Sequence, residues 1–320
     1  MCSDEDAREA LQFARQKGVA LFDTAPLYGF GLSETRLERA FGAATSAASS
    51  APQIITKVGR YCVPRSELTQ LGPDEAARVE RNAAMDAIYP AALDNVVVVD
   101  YSETGMRRAL AQSRERLGPH LTVACVRIHD AESEERFADL MASDGAGVRA
   151  LVRMRDAGEF AQLSLGMNSP EFMLRILRAF PVGTFDNVML AGAYNLLSQS
   201  GAQVLAECER LGVAVQLAGV FASGGLWLDD KFRYEPMDNQ VRQLRTAWID
   251  FCSEHGVKLQ AAALAFAFRP RVVSHVAIGL RSAREVAENL ALLDEANAIP
   301  ETFWHDAAAR KLIATTPTDE

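Results

Sequence analysis

The chain has 320 residues, 49% of them hydrophobic, so it is long enough to bury a large core. Lys and Arg number 33 against 42 Asp and Glu, which gives a formal net charge of -9. This acidic balance excludes the basic surface of a protein that binds nucleic acid or anionic membranes non-specifically, and it favours a small-molecule ligand.

The five cysteines are odd in number and widely spread, with no Cys-x-x-Cys spacing and no ladder of histidines nearby. We therefore expect reduced thiols and no metal site. The first residues are charged rather than apolar, and no stretch is long enough to span a bilayer. These features predict a cytoplasmic protein that exists as a monomer or a weak homo-oligomer.

Short apolar strand-like runs alternate with longer segments of helical apolar spacing along the whole chain. A predicted helix at 7–17 comes first, and a predicted strand at Val19–Ala25 precedes the helical segment SETRLERAFGAA. The next predicted strand is Ile54–Gly59. Five more strands, each followed by a helical segment, are predicted at Leu121–Asp130, Ala161–Ser169, Phe185–Leu197, Val213–Phe221 and Val272–Leu280.

This alternation predicts an α/β fold with parallel strands, and the even composition favours one (β/α)8 TIM barrel domain over residues 1–320. A Rossmann domain is the weaker interpretation, because no Gly-x-Gly-x-x-Gly follows the first strand. Seven strands are found where such a barrel has about eight. The first strand is therefore predicted to be missing, because the chain starts directly in a helix.

Two segments interrupt the alternation. The Ala- and Ser-rich residues 43–52 predict a short flexible loop. Residues 61–95 are predicted to form a loop insertion over the barrel mouth, where loops determine which substrates enter.

Four polar residues lie where the active site of a barrel is expected, at the carboxyl ends of strands. Asp23, Lys57 and His129 end three predicted strands, and Tyr28 lies in the loop after Asp23. A free tyrosine, with a pKa of about 10, needs a neighbouring cation to act as an acid or base near neutrality.

Lys57 could supply that charge, Asp23 could hold Lys57 protonated and oriented, and His129 could position a substrate oxygen. Each residue also has a purely structural interpretation when it is taken alone. The four interpretations are a loop cap for Asp23, a solvated strand end for Lys57, an ordinary loop residue for Tyr28 and a structural histidine for His129. Their convergence from separate strands favours proton-transfer chemistry.

The segments GVALFDTAPLYGFGLSETRLERAFG, ITKVGR, RIHD and IGLRSAREVAENL resemble the aldo-keto reductase superfamily. DYSETGMRRALAQSRERLG, GMNS and AGAYNLLSQS resemble its branch of D-threo-aldose 1-dehydrogenases, or L-fucose dehydrogenases. The resemblance implies that Asp23, Tyr28, Lys57 and His129 are the catalytic tetrad. It also implies hydride transfer between a nicotinamide cofactor and C1 of an aldose such as L-fucose, D-arabinose or L-galactose, giving an aldonolactone.

The resemblance further implies a set of cofactor-binding residues on the later part of the chain. They are Asn168, Phe221, Ser223, Gly225, Leu226, Gly279, Arg281, Ser282, Glu285, Glu288 and Asn289. A carboxylate at Glu285, where the family often has an arginine for the NADP phosphate, favours NAD. Arg281 and Arg284 leave NADP open.

Two departures from the family pattern bear on function. Ala191 stands where the family usually has a glutamine beside the nicotinamide. The missing first strand and its preceding hairpin carry a cofactor contact in the family, so a second hypothesis is a catalytically weak or silent, truncated protein that binds cofactor or partners. An unrelated barrel hydrolase would need paired carboxylates or metal ligands at strand ends, and the sequence offers none of adequate quality.

Overall fold

The computed structural model describes residues 2–42, 52–80, 94–226, 231–232 and 235–313. Most of the predicted loop at 43–52 lies outside these residues, as does the central part of the predicted insertion, residues 81–93.

Within the described residues, eleven strands and eleven α-helices are present. The strands are β1 Leu21–Asp23, β2 Gln53–Val58, β3 Arg60–Pro64, β4 Asn95–Val99, β5 Thr122–His129, β6 Gln162–Met167, β7 Asn187–Ala191, β8 Ala214–Ala218, β9 Lys231–Phe232, β10 Glu235–Pro236 and β11 Val273–Ala277. The helices are α1 Asp4–Gln16, α2 Leu32–Phe41, α3 Pro73–Ala77, α4 Glu103–Leu117, α5 Glu134–Asp156, α6 Pro170–Ala179, α7 Ala202–Leu211, α8 Asn239–Glu254, α9 Leu259–Phe268, α10 Ala283–Asn297 and α11 Glu301–Ala309.

Seven of these strands form one sheet in the order β1, β2, β5, β6, β7, β8, β11, which is their order along the chain. The registered pairs are parallel, and helices lie between successive strands in the sequence. This is the pattern of a (β/α)8 barrel with one strand fewer, and it confirms the predicted fold class. Strand β1 is shorter than predicted, because only three of its residues pair with β2.

The start of the predicted insertion pairs with a strand at and just beyond its end, an antiparallel pair that was not predicted. Strands β3 and β4 pair antiparallel from Arg60 opposite Val99 to Pro64 opposite Asn95. Val97 and Val98 are buried, so this β-branched run packs as a strand rather than a solvated loop. The placement of the insertion over a barrel mouth stays a prediction.

The chain divides into two compact units. The first comprises residues 1–166, 184–186 and 280–286, and the second comprises 167–183, 187–279 and 287–320. In the first unit, the strands bury Ile54, Val126 and Ile128 completely; in the second, they bury Val188 and Leu217 completely. No helix in the described ranges is both long and apolar enough to cross a membrane.

A buried carboxylate ties α2 to the strand and helix that it packs against in the first unit. The fully buried Glu34 accepts a hydrogen bond from Thr56 Oγ1 at 2.6 Å and forms an ion pair with Arg116 Nε at 2.7 Å. Arg116 also packs against Gly31, where an added Cβ would lie 2.9 Å from Arg116 Cδ. Glu34 therefore links three elements through one side chain.

We expect Glu34→Ala to lower the free energy of unfolding by about 3 kcal/mol, because it leaves the Arg116 guanidinium without its carboxylate in a mostly buried place. Chemical denaturation followed by circular dichroism measures the loss. Glu115→Ala, at an exposed position of α4, is the matched control and should change stability by less than about 0.5 kcal/mol. Equal stability of the two variants would contradict the role of Glu34.

Candidate active site

Asp23 and Lys57 form a buried ion pair at the carboxyl ends of the adjacent strands β1 and β2. Lys57 Nζ donates to Asp23 Oδ1 at 2.5 Å and to the carbonyl oxygen of Thr24 at 2.8 Å. The Lys57 side chain is 2% exposed, and this burial disfavours the ammonium, but the negative charges beside it, that of Asp23 foremost, raise the pKa of Lys57 overall. Lys57 is therefore a cation at neutral pH.

Tyr28 lies in the loop between β1 and α2, beside this pair. Its ring packs against an apolar cluster that includes Leu27, Phe30 and Val97. Lys57 Nζ lies 4.3 Å from the centroid of the Tyr28 ring. The loop thus holds the phenol next to a buried positive charge.

His129 is the last residue of β5 and meets Tyr28 edge-on, with 6.0 Å between the ring centroids and an angle of 88°. Burial lowers the pKa of His129 well below 6.5, and the cations Arg60, Lys57, Arg127 and Arg136 lower it further. The imidazole is therefore neutral at physiological pH and can share a hydrogen bond with a neutral oxygen.

The structure thus brings all four predicted catalytic residues together in the first unit. Asp23 and Lys57 are joined directly, Tyr28 lies against Lys57, and His129 lies against Tyr28. Their catalytic roles stay a prediction.

Sequence reasoning missed Arg127, which completes this cluster. Its fully buried guanidinium forms an ion pair with Asp23 Oδ2, and its Nε donates to Ser164 Oγ at 2.9 Å. Arg127 stands opposite Lys57 in the parallel pairing of β2 and β5, and opposite Ser164 in that of β5 and β6. The spacing Arg-x-His in a strand, which places both side chains on one face, could have revealed it.

Gly166 makes room for this arginine. A Cβ added at Gly166 would lie 2.5 Å from Arg127 Cδ, closer than packed carbon atoms approach each other. Glycine at this position of β6 therefore lets a long charged side chain lie within the sheet.

A second polar network supports His129, and sequence reasoning missed it as well. Tyr101 Oη and Arg60 Nη1 donate to the carbonyl oxygen of His129 at 2.6 and 3.1 Å. Arg60 Nη1 also lies 3.3 Å from Asp130 Oδ2, and burial raises the pKa of Asp130 to about 6. Arg60 pairs in addition with Glu80, which stands twenty residues further along the chain. This network fixes the backbone that carries the imidazole.

Three predicted cofactor residues lie together in the first unit, at the start of α10. Glu285 Oε2 accepts from the backbone N of Arg281 at 2.7 Å, and Glu285 Oε1 accepts from Arg281 Nη2 at 2.8 Å. Ser282 Oγ accepts from the backbone N of Glu285 at 3.2 Å. Burial opposes ionisation of Glu285, but these bonds from Arg281 lower its pKa overall, so the carboxylate stays charged.

The other predicted cofactor residues belong to the second unit. Asn168 directly follows β6, and Gly279 follows β11, where an added Cβ would meet no atom of the described residues within 4 Å apart from its chain neighbours. Ala222 and Ser223, in the loop after β8, both have positive φ angles, a conformation that is uncommon for residues other than glycine and that clusters at functional sites. The remaining predicted residues in this unit are Phe221, Gly225 and Leu226 in that loop and Glu288 and Asn289 on α10.

These residue types fit a dinucleotide. They supply amides, a hydroxyl at a helix start, and backbone that a phosphate can approach closely. Their contacts with a nucleotide stay a prediction. Among the residues described, no group of three or more His, Cys, Asp and Glu side chains could hold a metal ion.

Comparison with known proteins identifies the family of the chain. The model of the Aldo/keto reductase family matches residues 1–304. The chain is 30% identical to pyridoxal 4-dehydrogenase from Microbacterium luteolum and 30% identical to D-threo-aldose 1-dehydrogenase from Pseudomonas sp., in each case over 98% of this chain and 90% of the relative.

Solved structures show the same fold. An aldo-keto reductase from Bacillus halodurans, in its holo form, superimposes with a TM-score of 0.70 at 18% identity, covering 99% of this chain and 90% of that one. The chain belongs to the aldo/keto reductase family and is an NAD(P)-dependent oxidoreductase.

Proposed function

We propose that the protein transfers hydride between a nicotinamide cofactor and C1 of an aldose of the L-fucose, D-arabinose or L-galactose type, giving an aldonolactone. The observation that carries this proposal is the buried Lys57 ammonium, held by Asp23 and 4.3 Å from the centroid of the Tyr28 ring. The 30% identity to D-threo-aldose 1-dehydrogenase over nearly the whole chain supports the sugar substrate.

A bound nicotinamide would supply the hydride acceptor or donor at its C4 position. The residues that we propose to hold it are the predicted set already described, from Asn168 to Asn289. The protein itself would supply the proton chemistry and the orientation of the sugar.

In the oxidative direction, Tyr28 as a phenolate would accept the proton of the anomeric hydroxyl group while the C1–H bond breaks. The Lys57 ammonium would stabilise that phenolate through its charge. The neutral His129 imidazole would donate a hydrogen bond to the same substrate oxygen. In the reverse direction, Tyr28 would return the proton.

Pyridoxal is a second candidate substrate, favoured by the equal 30% identity to pyridoxal 4-dehydrogenase. Its aldehyde closes onto the neighbouring hydroxymethyl group to form a cyclic hemiacetal, as an aldose does at C1. Oxidation of either ring gives a lactone, so the same proton acceptor would serve both compounds.

We expect the protein to reduce NAD or NADP with at least one of L-fucose, D-arabinose, L-galactose and pyridoxal, measured as nicotinamide absorbance. Tyr28→Phe should lower kcat by about 100- to 10,000-fold, because the phenol moves the proton in the transition state. The dissociation constant of the nucleotide, from fluorescence titration, should change less than about twofold.

Tyr61→Phe is the matched control, because it removes a hydroxyl group that binds Glu75 outside the tetrad. Retained turnover in Tyr28→Phe would refute the role of Tyr28. Nucleotide binding without turnover of any of the four compounds would instead favour the silent-module hypothesis.

We propose NAD rather than NADP as the preferred cofactor. The Arg281 guanidinium is already engaged by Glu285, and the charged carboxylate would repel a 2′-phosphate at this position. Arg281 is therefore not available as the phosphate-binding cation unless Glu285 is neutralised.

We expect Glu285→Gln to tighten NADP binding about fivefold or more, because it removes the repulsion and frees the Arg281 guanidinium. NAD binding should change less than about twofold. Isothermal titration calorimetry measures both. Glu295→Gln, which removes a carboxylate paired with Lys258 on the same helix, is the control for net charge. Equal effects of the two variants, or tighter binding of NADP by the parent protein, would contradict the preference for NAD.

A further inference from the structure

The Asp23 carboxylate is shared between two buried cations on neighbouring strands. One oxygen, Oδ1, contacts Lys57 Nζ at 2.5 Å, and the other, Oδ2, contacts Arg127 Nη1. The side chains of Lys57 and Arg127 are 2% and 0% exposed. Two cations and one carboxylate leave one positive charge in excess within this group of three side chains.

This excess matters because of what lies beside it. In an isolated Lys–Asp pair, the carboxylate largely cancels the field of the ammonium. When a second cation engages the same carboxylate, the electrostatic potential at a nearby oxygen becomes positive. Burial strengthens this potential, because little water is present to screen it. The Tyr28 ring lies directly against Lys57, so this field acts on the phenol.

We propose that Arg127 is a positioning residue that holds Asp23 toward Lys57 and gives the cluster the excess positive charge that stabilises a Tyr28 phenolate. The proposal rests on the proton-transfer role of Tyr28 given above. Nothing in the four-residue tetrad alone supplies this charge, because its lysine and aspartate sum to zero.

The other charged groups around the site do not replace Arg127. Arg60 pairs with Glu80 at 2.9 Å and lies 3.3 Å from Asp130, and Arg136 pairs with Glu80 at 2.7 Å. The charges of Arg60 and Arg136 are therefore balanced by two other carboxylates, those of Glu80 and Asp130. Asp130 also lies 3.4 Å from His129 Nε2, and that imidazole is neutral.

The pKa directions agree with this charge arrangement. After burial, Arg60 and Lys57 lower the pKa of His129 most, and Arg127 and Arg136 add to the effect. Burial and Arg127 lower the pKa of Lys57, but the Asp23 carboxylate and the negative charge of a Tyr28 phenolate raise it overall.

A series of variants separates the charge from the packing. Arg127→Gln removes the charge but can still donate a hydrogen bond to Asp23, which leaves a sum of zero. Asp23→Asn is not used for this count, because it removes the carboxylate that raises the pKa of the buried Lys57 and so changes the charge of Lys57 as well. Arg127→Lys keeps the charge and is the conservative control.

The first measurement needs no substrate. The tyrosinate absorbance of each protein is followed against pH, and that of the same protein carrying Tyr28→Phe is subtracted. We expect the midpoint of the difference to lie higher for Arg127→Gln than for the parent protein, and Arg127→Lys to share the midpoint of the parent. The upward displacement in Arg127→Gln should be at least about half a pH unit.

The second measurement is the pH profile of kcat for whichever compound the parent protein oxidises. At pH values below the midpoint, kcat of Arg127→Gln should be about threefold or more lower than kcat of the parent protein. A midpoint raised by half a pH unit lowers the fraction of Tyr28 that is phenolate by about this factor. Arg127→Lys should recover the parent profile.

If Arg127→Gln has the same midpoint as the parent protein, the proposal is overturned. If Arg127→Gln does not fold, Arg127→Met is titrated instead, because it keeps a long side chain without the charge. Coincident midpoints there would equally overturn it. Absence of aldose oxidation by the parent protein would count against the proposed function alone, because the absorbance measurement is independent of substrate.

Discussion

A single carboxylate, that of Asp23, determines how the first unit can place charge beside Tyr28. Burying an ammonium and a guanidinium on adjacent strands is unfavourable unless a counter-charge reaches both, and Asp23 at the end of the short strand β1 does so with its two oxygens. The parallel register that sets Lys57 opposite Arg127 makes this sharing possible. Loss of the carboxylate would leave two like charges side by side in a place with little water.

Residues around Asp23, Lys57 and Arg127 help to hold Tyr28 and His129 in place beside these charges. Glu34 ties the helix that follows the Tyr28 loop to β2, one residue before Lys57, through its bond with Thr56. Tyr101 and Arg60 hold the carbonyl oxygen of His129 from the other side. Buried polar bonds, which are directional, thus hold the helix after the Tyr28 loop and the backbone of His129 in place, while the Tyr28 ring packs against its apolar cluster.

Part of this arrangement could be predicted from the sequence. The alternation of apolar runs gave the seven parallel strands, because buried strands differ clearly in length and periodicity from helices. Asp23, Lys57 and His129 stood out as polar residues that end such runs. Arg127 did not, because a charge in the middle of a strand is equally compatible with a solvated face, and only the pairing register places it next to Lys57. Tyr101 binds the carbonyl oxygen of His129, and Glu80 acts on it through Arg60. Both residues lie far from His129 in the sequence, and local sequence patterns carry no information about such contacts.

The close approach of Gly166 to Arg127 couples these two positions of the site. A methyl group at residue 166 would meet the arginine stem at 2.5 Å, so a larger residue there would make the Arg127 side chain move or call for a shorter one. Shortening Arg127 removes the second cation from Asp23 and shifts the charge balance around Tyr28. A side chain introduced at 166 would therefore alter the charge around Tyr28 by way of Arg127, so the two positions have to be varied together.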